Sequence, residues 1–405
     1  MIAPDAPRAP NRSVHSTKTA IAPRALPRSN PRVTPPLHAP PRPPRRWPRL
    51  LAISLATVCL GAWVACQALH TGPYRAPEPL PDSKLLDIHC HTAGIGGGDS
   101  GCFISKAMES SWKLRIYLKS FGTSREELLE KGDAHVVQLI SQQLAQSRHV
   151  GRAILLALDG VVDDKGELDR TRTEVYVPNE FIARETAKTT NLLFGASINP
   201  LRKDALERLV WAKANGAKLV KWIPSVMQFD PADERFTPFY RKLIELKLPL
   251  LTHGGQERSF TQARDQLCDP QRLHLPLKLG VTVIVAHIAS TGANDGERDT
   301  QRLARMMGQY TNLFSEISSL TQANKFGYLK EALTLPEWQG RLLYGTDYPL
   351  IRTALVSPWY FPRQLTHAQM RELDAIENPW DRDVALKQAL GVPKAIFLKA
   401  RELFP

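Results

Sequence analysis

KLLDIHCH, residues 84–91, is a short apolar run that ends in two histidines one residue apart. Side chains on a strand alternate at period two, so His89 and His91 are expected on one side together with Asp87, while Ile88 and Cys90 face the helices. Two imidazoles placed in this way at a strand end can chelate one metal ion. Downstream, short apolar runs alternate with amphipathic stretches: GRAILLALD (151–159), LLFGASINP (192–200), AKLVKWIP (217–224), LPLLTHG (248–254), VTVIVAHIAS (281–290), NLFSEISS (312–319) and RLLYGTDYP (341–349). With 84–91 they make eight expected strands, and the alternation implies a parallel sheet of βα units. Eight such units without a dinucleotide fingerprint predict an α/β fold of the (β/α)8 TIM-barrel type over 84–405.

The intervening stretches read as helices. In KDALERLVWAKANG (203–216), Leu206, Leu209, Val210 and Lys213 fall on one stripe, and FTPFYRKLIELKL precedes the fifth strand. The first unit is irregular, with about sixty residues between strands one and two. There GGGDSG (96–101) reads as a mobile loop and REELLEKGDAHVVQLISQQLAQ as the delayed helix or helices.

Upstream of the barrel the composition changes. Residues 1–49 hold 13 of the 32 prolines and ten basic residues against one acid, Asp5. Such a segment cannot bury enough apolar surface to offset its ordering entropy and reads as a disordered basic leader. It supplies +9 of the formal net charge of +13. What remains is near neutral, which speaks against a nucleic-acid partner. LLAISLATVCLGAWVACQAL (50–69) carries no charge and is long enough to cross a hydrocarbon core of ~30 Å. With Arg42, Arg45, Arg46 and Arg49 before it, it reads as a transmembrane signal-anchor, or as a signal segment, of a bacterial-type inner membrane. That places the barrel on the outer, periplasmic face after a linker over 70–83. WVAC before Gln67 resembles a lipobox with Cys66 as the lipidated residue, and Arg45-Arg46 resembles a twin-arginine export signal. The five cysteines, Cys59, Cys66, Cys90, Cys102 and Cys268, show no CxxC spacing, though a Cys102–Cys268 bridge is conceivable.

Of eleven histidines, only His89, His91, His253 and His287 stand at the ends of expected strands. Period two also aligns Val283, Val285 and His287 inward on strand six, and Leu343, Gly345 and Asp347 on strand eight. A lone histidine or a TDYP turn proves little. Six polar residues at the end of a barrel where active sites lie form a pattern.

DIHCHT, VKWIP with Lys221, LLTHGG, VAHIAS and YGTDYP resemble the strand-end signature of the amidohydrolase superfamily, in its amidohydrolase-related (family 2) branch. The likeness runs from Lys84 to the end of the chain. It implies that His89 and His91 bind a metal, that His253 binds the same or a second one, and that His287 binds the second or contacts substrate. Asp347 would be both ligand and general base. Lys221 is implied to be a carbamate bridging two metals; read on its own, it is a strand-end lysine that binds an anionic substrate or reaches solvent.

Imidazole and carboxylate ligands suit Zn2+, as one or two ions, with Mn2+, Fe2+ or Ni2+ open. A bound divalent ion brings its water toward a pKa of about 7, and one carboxylate beside it can act as base and then acid. The expected function is hydrolysis of a small amide, ester or lactone through metal-bound hydroxide. Two alternatives stay open, non-oxidative decarboxylation of an aromatic or muconate-type acid and a catalytically silent binding barrel; so does a homo-oligomer. Arg258, Arg298, Arg352 and Trp359 fall in or near loops after strands five, six and eight, where an arginine could clamp a substrate carboxylate. The C-terminal NPWDRDVALKQALGVPKAIFLKARELF reads as amphipathic helix packed on the barrel.

Overall fold

Each of the eight apolar runs forms a strand, and most of these strands are shorter than the run. They are β1 (Leu85–His91), β2 (Val150–Leu156), β3 (Leu192–Gly195), β4 (Val220–Trp222), β5 (Leu250–Thr252), β6 (Val283–Val285), β7 (Leu313–Glu316) and β8 (Leu342–Leu343). The computed structural model describes residues 78–81 and 85–404, which fall in one compact unit, Val58–Pro405. β1, β2 and β3 pair in parallel in that order, and so do β4 through β8. Single parallel bridges, Ala196 to Val220 and Cys90 to Tyr348, join the two runs at both edges. The sheet therefore closes into a barrel and leaves no edge strand to cover.

One apolar cluster fills the interior. Leu86, Ile88, Ile154, Leu156, Leu219, Leu251, Ile284, Ala286 and Leu343 meet there, and Ala400 and Phe404 join them. A larger cluster, with Cys90, Leu155, Val220, Trp222, Val283 and Val285, packs the outer strand faces against the helices. Val283 and Val285 thus face outward, opposite to the period-two expectation, and Ile284 takes the interior position. In the helix Ala205–Ala214 the buried residues are Ala205, Leu209 and Ala212. Leu206 and Val210 are exposed, so the stripe is rotated from the expected one.

β1 also departs from simple alternation. Its register on β2 shifts between Asp87 and Cys90, the mark of a bulge. Ile88 and His89 consequently both turn inward, while Asp87 stays on the helix side and not beside His89 as expected. There Asp87 accepts hydrogen bonds from the Trp380 indole (3.0 Å), the Thr346 hydroxyl (2.6 Å) and the Thr346 and His89 amides (3.0 Å each). Trp380 comes from the helix Pro379–Ala389, which Asn378 caps by accepting from the Trp380 and Asp381 amides. The C-terminal segment therefore packs on the barrel as expected.

Burial pushes the Asp87 carboxyl up to about 6, against the pull of these donors. A folded-state value above the unfolded one means that stability is lost as pH rises through about 6. Trp380→Phe removes one donor and raises that value further. It is expected to destabilise the fold by about 1–3 kcal/mol at pH 8 and by less at pH 4.5, read from denaturant midpoints at the two pH values.

The insertion between β1 and β2 holds the helices Lys106–Glu109, Trp112–Phe121, Arg125–Lys131 and Ala134–Ala145. The glycine-rich loop expected to be mobile is instead tied down by Asp133. That carboxylate accepts from the Ile95 and Gly96 amides and from the Ser100 hydroxyl. Gly97 lies so close to the Leu128 carbonyl oxygen that any side chain there would collide with it.

The membrane-anchored, outer-face location expected from the leader is corrected: among the described residues no helix is long and apolar enough to cross a membrane. The basic leader 1–49, the segment 50–69 with Cys59 and Cys66, and most of the linker 70–83 lie outside the described residues. Cys102 and Cys268 are buried free thiols, so the conceivable bridge between them does not form.

Candidate functional site

The C-terminal ends of the strands leave sheet geometry, and that is what gathers the site. After β6 the backbone turns left-handed at three consecutive non-glycine residues, His287, Ile288 and Ala289. Such a conformation is unfavourable for L residues and persists only where its surroundings hold it. Here Glu316 accepts from the His287 amide (3.0 Å) and Ser315 from the Ile288 amide (3.2 Å). The turn brings the His287 ring into the site although β6 faces the other way. Asp347, after β8, is also left-handed (φ 59°), and its amide donates to the His89 carbonyl (2.8 Å).

Nε2 of His89 lies 3.0 Å from Nε2 of His91 and 3.1 Å from Nζ of Lys221. Oδ1 of Asp347 is 3.6 Å from the first imidazole nitrogen and 3.2 Å from the second. The His89 and His287 rings stack at 5.1 Å, and His253 meets His287 edge-on at 5.3 Å. His89, His287 and Asp347 each offer a ligand atom, all within 4.8 Å of one another.

Amidohydrolase is also the description of the family model that matches this chain, over residues 87–374. The chain belongs to the amidohydrolase family. No curated protein sequence matches it. Among solved structures, a TIM-barrel protein of Bordetella bronchiseptica is 15% identical, with a TM-score of 0.48, covering 76% of this chain and 99% of that one. A protein of Acinetobacter baumannii described as a probable 2-pyrone-4,6-dicarboxylic acid hydrolase, with citric acid bound, is 14% identical (TM-score 0.47; 80% and 99% covered). A 5-carboxyvanillate decarboxylase of Sphingomonas paucimobilis is 13% identical (TM-score 0.44; 79% and 98% covered). At these scores the likenesses bear on neither substrate nor reaction.

This amidohydrolase, an enzyme by its family, carries all six strand-end residues singled out from the sequence, His89, His91, Lys221, His253, His287 and Asp347, on the wall of one cavity of about 530 Å3. Lys221 points inward in register with Leu251, as period two allowed. Of the four loop residues, only Arg258 reaches the cavity. Arg298 pairs with Glu331, Arg352 donates to Gln143 and Tyr348, and the Trp359 indole donates to Asp374. A second cavity of about 630 Å3 opens alongside and shares Gln256, Arg258, Thr291 and Asn324 with the first, but none of the six residues lines it.

Sequence reasoning missed Glu316, fully buried at the end of β7. Its Oε1 is 3.0 Å from Nδ1 of His89, and it accepts from the Ser318 hydroxyl (2.8 Å) as well as the His287 amide. A carboxylate on Nδ1 fixes the proton there and leaves the Nε2 lone pair of His89 facing the cavity. The signal was present, since Glu316 is the one charged residue in NLFSEISS.

Burial dominates the ionisation of the site. It pushes the His89 imidazole down to about 4, with Lys221 adding to the effect, and holds His287 well below the ordinary histidine range. Both rings are neutral at neutral pH, the state in which an imidazole binds a metal. Burial also lowers the Lys221 amine to about 8. For Asp347 burial acts upward, but the imidazoles around it, among them His91 through a hydrogen bond, outweigh it and hold the carboxyl well below the usual carboxylate range. Nε2 of His253 is buried with no hydrogen-bond partner, as a nitrogen reserved for a ligand would be. Neutral imidazoles with free lone pairs, an ionised carboxylate and an orphaned nitrogen fit a divalent metal ion.

Proposed function

We propose that this amidohydrolase hydrolyses an amide, ester or lactone at a divalent-metal centre held by His89, His91, His253, His287 and Asp347, with Zn2+ the favoured ion for such nitrogen and oxygen donors. The observation that carries the proposal is Asp347: a buried, ionised carboxylate next to two imidazole nitrogens that converge on one point. When bound, the ion would polarise the substrate carbonyl and make a nearby water more acidic. The residues of the chain do the rest. Asp347 takes a proton from water and returns it to the leaving group, and the Ser319 hydroxyl, donating to its Oδ2, holds the carboxylate in place. Glu316 keeps His89 in one tautomer. Ile116, Phe121, Phe260 and Leu350 line the cavity and limit its water.

Lys221 would serve either as a metal ligand, after its amine takes up CO2 and loses a proton to become a carbamate, or as a substrate contact. If it is the ligand, Lys221→Ala loses metal and activity, and propionate added to the medium restores part of both. Unchanged metal content, measured by elemental analysis, removes that role and leaves a substrate contact.

A second reading, decarboxylation of an aromatic or muconate-type acid, is favoured by one observation. Among the described residues the ligand atoms of His89, His287 and Asp347 form a single cluster, the size of a site for one ion. Incubating the metal-loaded enzyme with lactones, N-acyl compounds and aromatic carboxylates separates the two. Acid release from the first two classes supports hydrolysis, and CO2 release from the third without it overturns hydrolysis.

A further inference from the structure

Of the charged groups in the cavity outside the metal centre, one is left without a protein partner among the described residues. Lys325 ends a short 3-10 turn, Ala323–Lys325, beyond β7 and lines the same cavity as the six strand-end residues. It is only 9% exposed, and among the described residues its ammonium makes no hydrogen bond or ion pair. Its charge acts on His253 and His287, which line the same cavity. Three acids lie within reach of its field: Asp347, Glu316 and Glu257. All three are engaged elsewhere. Asp347 is held by His91 and Ser319, Glu316 by His89, His287 and Ser318, and Glu257 by the Ser259 amide (2.6 Å) with His253 at 3.7 Å.

An ammonium whose side chain is nine-tenths buried, and which meets the cavity without a protein partner, is less well solvated than a surface lysine, so an anion that arrives with the ligand would supply the partner it lacks. The geometry points to Lys325 as the anchor for the carboxylate of a substrate whose remaining body is apolar, so that the enzyme acts on acidic, amphipathic carbonyl compounds in preference to neutral ones. This deepens the proposed function and rests on it for the location of the reacting centre.

The surroundings restrict the ligand further. A single ammonium balances a single charge, and Asp347 and Glu257 nearby oppose a second negative one; a carboxylate therefore fits better than a phosphate dianion. Leu114, Ile116, Phe260 and Leu355 offer no polar partner to the remainder of the ligand, and their surfaces suit an aromatic or aliphatic body. At the mouth, Lys113 donates to the Arg258 carbonyl (2.7 Å) and Gln256 holds the Arg258 guanidinium (2.7 and 3.0 Å). These two cations favour the approach of an anion.

The test uses the full-length, metal-loaded enzyme and two probes of one shape, phenylacetate and phenylacetamide, titrated calorimetrically. The wild-type chain is expected to bind the acid about tenfold or more tightly than the amide, the scale of one hydrogen bond to a charged group. Lys325→Met is expected to abolish that preference with its metal content unchanged, and Lys325→Arg to keep most of it. A Lys325→Met enzyme with the full preference overturns the anchor, because the carboxylate then sits on the metal; so does a wild-type enzyme that does not distinguish the probes. If Lys325→Met does not fold, Lys325→Gln takes its place in the same comparison. A chain that takes up no metal but shows the Lys325-dependent preference leaves the anchor standing and removes the metal-dependent reaction instead.

Discussion

Asp347→Asn is expected to keep a substantial share of the metal and to lower turnover at least ~10²-fold, the scale on which general acid–base catalysis operates. The amide retains an oxygen for the ion but cannot accept a proton. The substitution is close to isosteric, and the left-handed backbone at Asp347 is one that asparagine tolerates well. A large loss of activity with small losses of metal and stability therefore isolates proton transfer. Turnover of a lactone or N-acyl substrate, normalised to bound metal, is the measurement. Near-normal rates would show that Asp347 moves no proton from water, and decarboxylation would become the better account.

Removing an imidazole has the opposite signature. His89→Ala is expected to purify with little metal and to show no measurable turnover, because His89 contributes a lone pair from the centre of the cluster. Glu316→Gln provides a graded version. It leaves every proposed ligand in place and changes only the partner of Nδ1, so metal affinity is expected to fall by roughly 10–100-fold, the usual effect of losing such a partner. Competition with a chelator of known affinity reads both variants. If His89→Ala binds metal as the wild type does, the centre proposed here is wrong.

The barrel was legible because eight apolar runs of strand length, alternating with helical stretches, allow few other folds. Strand direction was less legible. The bulge at Ile88 and His89 leaves no trace in KLLDIHCH, and it reverses the side on which Asp87 lies. On β6 the expected inward row of Val283, Val285 and His287 fails because Glu316 and Ser315 capture the amides of His287 and Ile288, ending the strand at Val285. His287 reaches the site by that turn and not by alternation. Glu316 and Lys325 escaped because their significance is tertiary: one lies under a histidine 227 positions away, and the other is significant only through the absence of a partner. Residues defined by strand-end position were found, and those defined by what surrounds them were not.

The cavity is divided by origin. Its floor comes from the ends of strands spread around the whole barrel, whereas much of one wall, with Ile104, Met108, Trp112, Ile116, Tyr117 and Phe121, comes from one stretch inserted between β1 and β2. Asp133, also within this insertion, fastens the loop that leads into the stretch. Substrate preference can therefore drift by changes within a short contiguous piece of chain while the reactive machinery is inherited intact. In such an enzyme a lineage can acquire new substrates without first giving up its chemistry.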